Sequence, residues 1–192
     1  MLKAFKILSI VVFATIAIYL LVPQDKKSTL DITEIKNLKN GDIIVRKESN
    51  MLSDMFAMID PSGYSHIGIV YDSGDDVLIY HLESNDEPRD LKIVSLDKFS
   101  ELSSSIAIYR YDRDFSSEGY KKLLDSYVDV EFDYDFLLNN EKLYCSEFVN
   151  DIYFRLFGEN IYSYLYKIGA KEGISIKSIM SNSRFTKIYE IK

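Results

Sequence analysis

The sequence predicts an α+β fold in which an antiparallel sheet packs against helices, preceded by an N-terminal membrane-anchor helix. Three observations support this prediction. Short β-type runs follow one another without a regular strand–helix–strand order. The two longest helical patterns come after most of these runs. An uncharged apolar stretch stands at the start of the chain.

The apolar stretch at the start of the chain has the features of an uncleaved anchor. Residues 7–22 carry no charge and follow Lys3 and Lys6. Large side chains occupy the positions where a cleaved signal peptide needs small ones, so cleavage is the alternative. We therefore expect a transmembrane anchor and tether at 1–27 and one domain at 28–192. The lysines favour a cytoplasmic N-terminus and an extracytoplasmic domain.

The elements of the domain can be placed from their patterns. Period-two apolar alternation and turn residues predict strands at 42–46, 65–71, 77–83, 91–96, 104–112 and 184–191. Apolar residues at helical spacing predict helices at 51–59, 116–130 and 143–158. Segment 30–41 is expected to form a short helix or turn.

The charge of the domain excludes one class of partner. Residues 28–192 carry 19 basic and 29 acidic side chains, a net charge of −10. There is no basic stripe with interleaved aromatic residues, so nucleic-acid binding is not expected. An acidic surface is also not attracted to anionic lipids, so the anchor is the predicted membrane contact. The sequence leaves the oligomeric state open.

Both histidines of the chain fall on two neighbouring predicted strands. With a four-residue turn at 72–75, His66 lies directly opposite His81 on the same face. Gly68, on that face, leaves space beside His66. Two opposed imidazoles suit proton transfer or zinc binding. Because the chain has no short-spaced cysteine pair, we expect no metal.

The single cysteine, Cys145, is at the start of the helix predicted at 143–158. A helix N-terminus has partial positive charge and free N–H groups, so we expect a lowered thiol pKa and a place for an oxyanion. A thiol, a histidine and a second polar group that orients the histidine form a Cys–His nucleophilic site. A buried, unreactive cysteine is the alternative.

Five stretches of the sequence resemble the permuted NlpC-like, papain-fold amidases of the YiiX/YaeF type. These are NGDIIVRK, YSHIGIVY, DVLIYHLE, IAIYRYD and FDYDFLLNNEKLYCSEFV. In that family the histidine precedes the cysteine, the reverse of the ordinary papain-like order. The resemblance implies a circularly permuted papain-like fold, with an antiparallel sheet or barrel packed against helices. It also implies a cysteine hydrolase that needs no cofactor.

The resemblance further implies a role for each site residue. Cys145 takes the place of the nucleophile, and His66 that of the general base. His81 falls where the family has the polar residue that orients the base, and Glu83, on the same strand face, is the second choice for that role.

Tyrosines surround these residues in the sequence. Tyr64 and Tyr144 stand beside the histidine and the cysteine, where each could donate its hydroxyl to the site or form its wall. The run YSYLYK at 162–167 is suited either to lining a cleft or to packing.

The expected activity is cleavage of an amide or ester through a thioester, by hydrolysis or by acyl transfer. Two substrate classes fit an anchored enzyme of this kind, namely cell-wall peptides and lipid-derived amides or esters. One alternative is a non-catalytic, membrane-anchored binding module on the same fold. Another is a zinc-binding protein that uses His66, His81 and Cys145.

Overall fold

The computed structural model describes residues 30–48, 60–83, 90–101, 103–138, 140–168 and 171–192. The predicted anchor at 7–22 and the predicted helix at 51–59 lie outside these residues. Among the described residues, none of the helices has the length and apolarity needed to cross a bilayer.

A six-stranded antiparallel sheet forms the centre of the domain, in the order β4-β3-β2-β1-β5-β8. Its strands are β1 (Ile43–Glu48), β2 (His66–Asp72), β3 (Val77–Leu82), β4 (Leu91–Ser95), β5 (Ser103–Tyr111) and β8 (Phe185–Ile191). All six predicted strands are therefore confirmed, within two residues at each end. A second sheet is a hairpin of β6 (Tyr166–Ile168) and β7 (Lys171–Gly173), which the sequence did not predict.

Within the described residues, four helices accompany the sheet: α1 (Leu96–Ser100), α2 (Tyr120–Asp125), α3 (Cys145–Phe157) and α4 (Ile176–Met180). Helix α3 matches its prediction and ends at Gly158, whose φ of 74° suits a helix C-cap. The helix predicted at 116–130 is wrong in length. Gly119, with a φ of 78°, delays its start, and turns replace it after Ser126. The described part of segment 30–41 forms turns and no helix.

The two faces of the sheet are covered by different elements. On one face, Ile67 and Ile69 of β2 pack in a core with Phe148 and Ile152 of α3. On the other face, Val70 and Ile79 pack with Phe99 of α1 and with segment 35–38. Because side chains alternate along a strand, the odd-numbered side chains of β2 face helix α3. His66, an even-numbered residue, belongs to the other face.

Candidate active site

Helix α3 begins at Cys145, and two backbone N–H groups lie against its sulfur atom. One belongs to Ser146, in the first turn of the helix, and the other to Ile67 of β2. The pairing of β2 with β3 starts only at Ile69 and Tyr80, so the N–H of Ile67 is available to the sulfur. The half-buried thiol therefore lies where helix α3 meets the open end of the β2–β3 pair.

The thiol of Cys145 is less acidic than the sequence predicts. Burial raises its pKa to about 11, and the carboxylates of Asp60 and Glu83 act in the same direction. The N–H groups of Ile67 and Ser146 lower the pKa but do not outweigh the loss of solvation. The expected low pKa is wrong for this state of the protein, and the thiol is protonated at neutral pH.

The two histidines meet, as the sequence predicts. Nε2 of His66 lies 2.7 Å from Nδ1 of His81. The rings are edge to face, with centroids 4.8 Å apart, and both contact the ring of Phe99. Both side chains are buried.

The predicted register of these strands is wrong by two residues. The structure pairs Ile69 with Tyr80 and Asp72 with Val77, which makes the four-residue turn 73–76. A shift of two residues keeps every side chain on its face, so the histidines become diagonal neighbours and remain in contact. A Cβ on Gly68 would lie 3.2 Å from Cβ of His81 and 2.8 Å from Cγ2 of Ile79. The space that glycine leaves is thus occupied by β3.

Charged side chains surround the histidine pair. Arg46 forms ion pairs with Glu48 and, at 2.8 Å, with Glu83, and its guanidinium stacks 4.5 Å from the centre of the Phe99 ring. Burial, followed by the positive charge of Arg46, lowers the pKa of His66 well below its usual value. The same two causes lower the pKa of His81 to about 3. Both imidazoles are therefore neutral at pH 7.

Glu83 does not contact His66 in the manner of an orienting group. Its Oε1 accepts from Arg46, and its Oε2 is 3.9 Å from Nδ1 of His81. The direct hydrogen-bond partner of His66 is His81. Donor atoms of His66, His81 and Glu83 all lie within 4.8 Å of one another, which is a possible ligand set for a metal. The alternative zinc site considered from the sequence includes Cys145, which is not a member of this set.

The thiol lies close to the backbone of the strand that carries His66. Cys145 packs with the core on the Ile67 face, whereas His66 contacts Phe99 on the opposite face. Within the described residues, the thiol makes no hydrogen bond to either imidazole. Contact with the N–H of Ile67 nevertheless places the sulfur beside the residue that directly follows His66.

A cleft of about 410 Å³ opens at Cys145. Six of the fifteen described residues that line it are aromatic: Tyr64, Tyr134, Phe136, Tyr144, Tyr164 and Tyr166. Asp60 and Asp135 also line it, and no Lys or Arg is found among its described lining residues. Its volume lies within the range of small-molecule sites.

The tyrosines flanking the site use their hydroxyls for structural contacts. The hydroxyl of Tyr64 donates to Glu190 at 3.1 Å. The hydroxyl of Tyr144 accepts from the N–H of Ile174 at 2.6 Å. Of the two roles left open by the sequence, the structure favours that of cleft wall for both residues.

The C-terminal segment contributes a wall that the sequence analysis left unassigned. Ser146, the residue after Cys145, donates from Oγ to the carbonyl of Ile174 at 2.7 Å. Together with Tyr144, it holds both backbone groups of Ile174 against the helix start. The run at 162–167 lines the cleft through Tyr164 and Tyr166. The spacing of the tyrosines in this run indicates a cleft wall, but the same spacing is equally compatible with packing in the core.

Comparison with known protein families identifies the family of this chain. Residues 37–188 match the model of a family, Peptidase_C92, described as "Permuted papain-like amidase enzyme, YaeF/YiiX, C92 family". The chain belongs to this family. Its members are permuted papain-like amidases, which supports a hydrolase and confirms the resemblance and the permuted papain-like fold.

A solved structure shows the same fold. The crystal structure titled "metalloprotein yiiX from Escherichia coli O157:H7, DUF1105" superposes with a TM-score of 0.68 at 15% sequence identity. The match covers 80% of this chain and 97% of that chain. Among curated proteins, no sequence matches this chain.

Proposed function

We propose that this protein is a thiol amidase or esterase that works through a thioester on Cys145. The observation that carries the proposal is the position of the thiol, at a helix start, against two backbone N–H groups and at the wall of the aromatic cleft. Membership of the amidase family supports the same class of reaction.

The neutral histidine pair suggests how the thiol is activated. When His66 donates from Nε2 to Nδ1 of His81, its own Nδ1 is left as a free base. Because burial keeps the thiol protonated, the proton moves to His66 as the sulfur attacks the carbonyl, and no prior ion pair is needed. The proposal requires that Nδ1 of His66 reach hydrogen-bond distance of the sulfur in the substrate complex.

The remaining steps follow from proton balance. As the carbon–sulfur bond forms, the carbonyl electrons move to oxygen, and N–H groups near the sulfur stabilise the oxyanion. The intermediate then expels the amine or alcohol, which takes the proton from His66. Water attacks the thioester and gives a proton to His66, and Cys145 leaves as the thiol. An acceptor in place of water gives acyl transfer.

The cleft favours substrates with a neutral, apolar group next to the scissile bond. Aromatic rings form a large part of its wall, and the charged residues among its described lining are Asp60 and Asp135. A substrate carboxylate or phosphate would meet like charge there and no basic side chain. Lipid-derived amides or esters fit these features, and so do apolar portions of cell-wall peptides.

We propose that residues 1–27 anchor the enzyme in a membrane with the domain extracytoplasmic.

The hydrolysis of neutral N-acyl p-nitroanilides, from acetyl to dodecanoyl, tests this function. We expect kcat/KM to rise with chain length and to fall about 10³-fold or more in Cys145→Ala. Activity that survives in Cys145→Ala contradicts the mechanism. If the wild-type protein binds the dodecanoyl compound in calorimetry but never turns it over, the non-catalytic binding module is the better description.

A metal site is a second candidate, because three suitable donors converge. His66, His81 and Glu83 offer two imidazole nitrogens and a carboxylate oxygen, a ligand set that Zn²⁺ accepts. The neighbour of similar fold is named a metalloprotein in its title. A bound ion would be held by His66 and His81, the two residues of the proposed catalytic pair. The two functions therefore exclude one another at a given moment.

Metal analysis of the purified protein separates the two candidates. A structural or catalytic metal should be stoichiometric, should survive Cys145→Ala and should be lost in His81→Ala. A protein that is hydrolytically active after chelation and dialysis, with no metal bound, supports the thiol amidase alone.

A further inference from the structure

Two buried carboxyl groups lie where the nucleophile helix begins and in the loop that forms one wall of the cleft. Glu147 is in the first turn of α3, two residues after Cys145, and is 8% exposed. Asp133, in the preceding loop, is 1% exposed. Neither residue has a part in the proposed chemistry.

Asp133 organises the cleft wall at 133–138. Its carboxylate accepts from the N–H of Asp135 at 2.8 Å, from the N–H of Leu137 at 2.7 Å and from Nδ2 of Asn140 at 3.1 Å. These bonds shape the loop that presents Tyr134, Asp135 and Phe136 to the cleft.

The same loop contains a strained residue that touches the helix start. Phe136 has a φ of 52°, which is uncommon for a residue with a side chain. Its ring lies 5.3 Å from that of Tyr144, the N-cap of α3. The hydrogen bonds of Asp133 therefore hold a conformation that depends on local support.

Glu147 lacks the partners that a buried carboxylate needs. Its Oε2 is buried and has no hydrogen-bond partner among the residues that the structure describes. The N–H of Tyr144 lies against the carboxyl, and the other charged groups near it are Asp133 and, one turn along the helix, Asp151. Asp151 is itself paired with Arg155 and Tyr127. Burial, then the charge of Asp133, raises the pKa of Glu147 to about 7.

We propose that Glu147 is a positioning residue whose neutral form holds the cleft wall 133–138 against the nucleophile helix. Ionisation places a second buried negative charge beside Asp133, and the two charges repel one another. The wall then loosens, and the contact between Phe136 and Tyr144 weakens. Cys145 itself stays in place, because Tyr144 and Ser146 remain bound to Ile174 on the other side.

The consequence for catalysis rests on the proposed function. If substrate packs against Phe136, loosening the wall raises KM, whereas kcat changes less. In Glu147→Gln the side chain is uncharged at every pH. The KM of this variant should therefore stay low above pH 7, whereas the KM of the wild type should rise. A residue with a merely structural role would shift KM equally at all pH values.

Amide hydrogen exchange of residues 133–138 tests the inference without any substrate. After correction for intrinsic rates, we expect wild-type protection to fall roughly tenfold between pH 6 and pH 8, as the ionised fraction of a group with a pKa of about 7 rises. Glu147→Gln should show no such fall. Glu141→Gln, the same change at an exposed position nearby, should behave as the wild type.

A second variant keeps the inference testable if Glu147→Gln fails to fold. Removal of the charge of Asp151 in Asp151→Asn lowers the pKa of Glu147, so the loss of protection should move to lower pH. A flat wild-type profile overturns the inference, and so does an equal pH dependence in Glu147→Gln. Cys145→Ala should keep the wild-type profile, so this result does not depend on whether the protein is a thiol amidase.

Discussion

At the scale of single residues, the site combines a protonated thiol with two neutral imidazoles. Burial dominates the pKa of Cys145 and of both histidines, and it outweighs the helix N-terminus in the case of the thiol. Sequence alone located all three residues and the contact between His66 and His81. It could not give the pKa of the thiol, because desolvation depends on the packing of distant segments around it.

The pH dependence of alkylation by iodoacetamide tests the state of the thiol. Since burial raises the pKa of Cys145 to about 11, the rate should be low at pH 7 and should still be rising at pH 10. Full reactivity below pH 8 would show instead that the free enzyme holds a thiolate–imidazolium pair.

The roles of the histidines predict an order of effects on activity. His66→Ala removes the proposed base and should lower kcat by about 10²-fold or more. His81→Ala removes only the group bonded to Nε2 of His66 and should cost less. The measurement is kcat for one N-acyl anilide, with circular dichroism as the control for folding. A larger loss in His81→Ala would reverse the assignment of base and orienting residue.

At the scale of elements, the sheet and helix α3 followed from the sequence, whereas the short elements did not. The six strands have clear alternation, and α3 has a long apolar stripe and a glycine cap. Helices α1 and α4 have five residues each, too few for a helical period to show. The register of β2 and β3 depends on which four residues form the turn, and the sequence DSGDD allows more than one choice.

Close packing between β2 and β3 makes Gly68 sensitive to substitution. In Gly68→Ala, the new Cβ would approach Cγ2 of Ile79 to 2.8 Å and the carbonyl of Tyr80 to 3.1 Å, so β3 must shift. We expect a loss of about 1–3 kcal/mol in the free energy of unfolding, measured in urea. Activity should fall as well, since β3 carries His81. Unchanged stability would show that the strands can separate at no cost.

The anchoring of the C-terminal segment at the helix start is also open to test. Tyr144→Phe leaves the buried N–H of Ile174 without its acceptor, which should lower the free energy of unfolding by about 1–3 kcal/mol. Ser146→Ala leaves the carbonyl of Ile174 without its donor and is the matched comparison. Exchange of the Ile174 amide should increase in Tyr144→Phe. Equal protection in the variant and the wild type would argue against this bond.

At the scale of the whole molecule, Cys145, the proposed nucleophile, lies where three distant parts of the chain meet. These are the end of β2, the start of α3 and the C-terminal segment around Ile174. The end of β2 and the start of α3 each carry a short sequence motif, which can be recognised without knowledge of the fold. The third is recognised only through contacts between residues far apart in the chain, so its role in the cleft could not be derived beforehand.

The stability of the whole domain should depend on pH through Glu147. Its pKa is raised from 4.5 to about 7 in the folded state, so the folded protein binds a proton more tightly than the unfolded chain does. Stability therefore falls as pH rises from 4.5 to about 7 and is level above that range, as far as this group contributes. Thermal unfolding should show Glu147→Gln gaining on the wild type across this window. A constant difference between the two proteins would contradict the assigned pKa.

Mass spectrometry of the intact protein during turnover of an N-acyl anilide tests whether Cys145 forms a thioester with the substrate. We expect an added mass of one acyl group, located at Cys145 by peptide mapping. The adduct should be absent in Cys145→Ala and should form more slowly in His66→Ala. Turnover with no adduct in rapidly quenched samples, together with activity in Cys145→Ala, would contradict the claim.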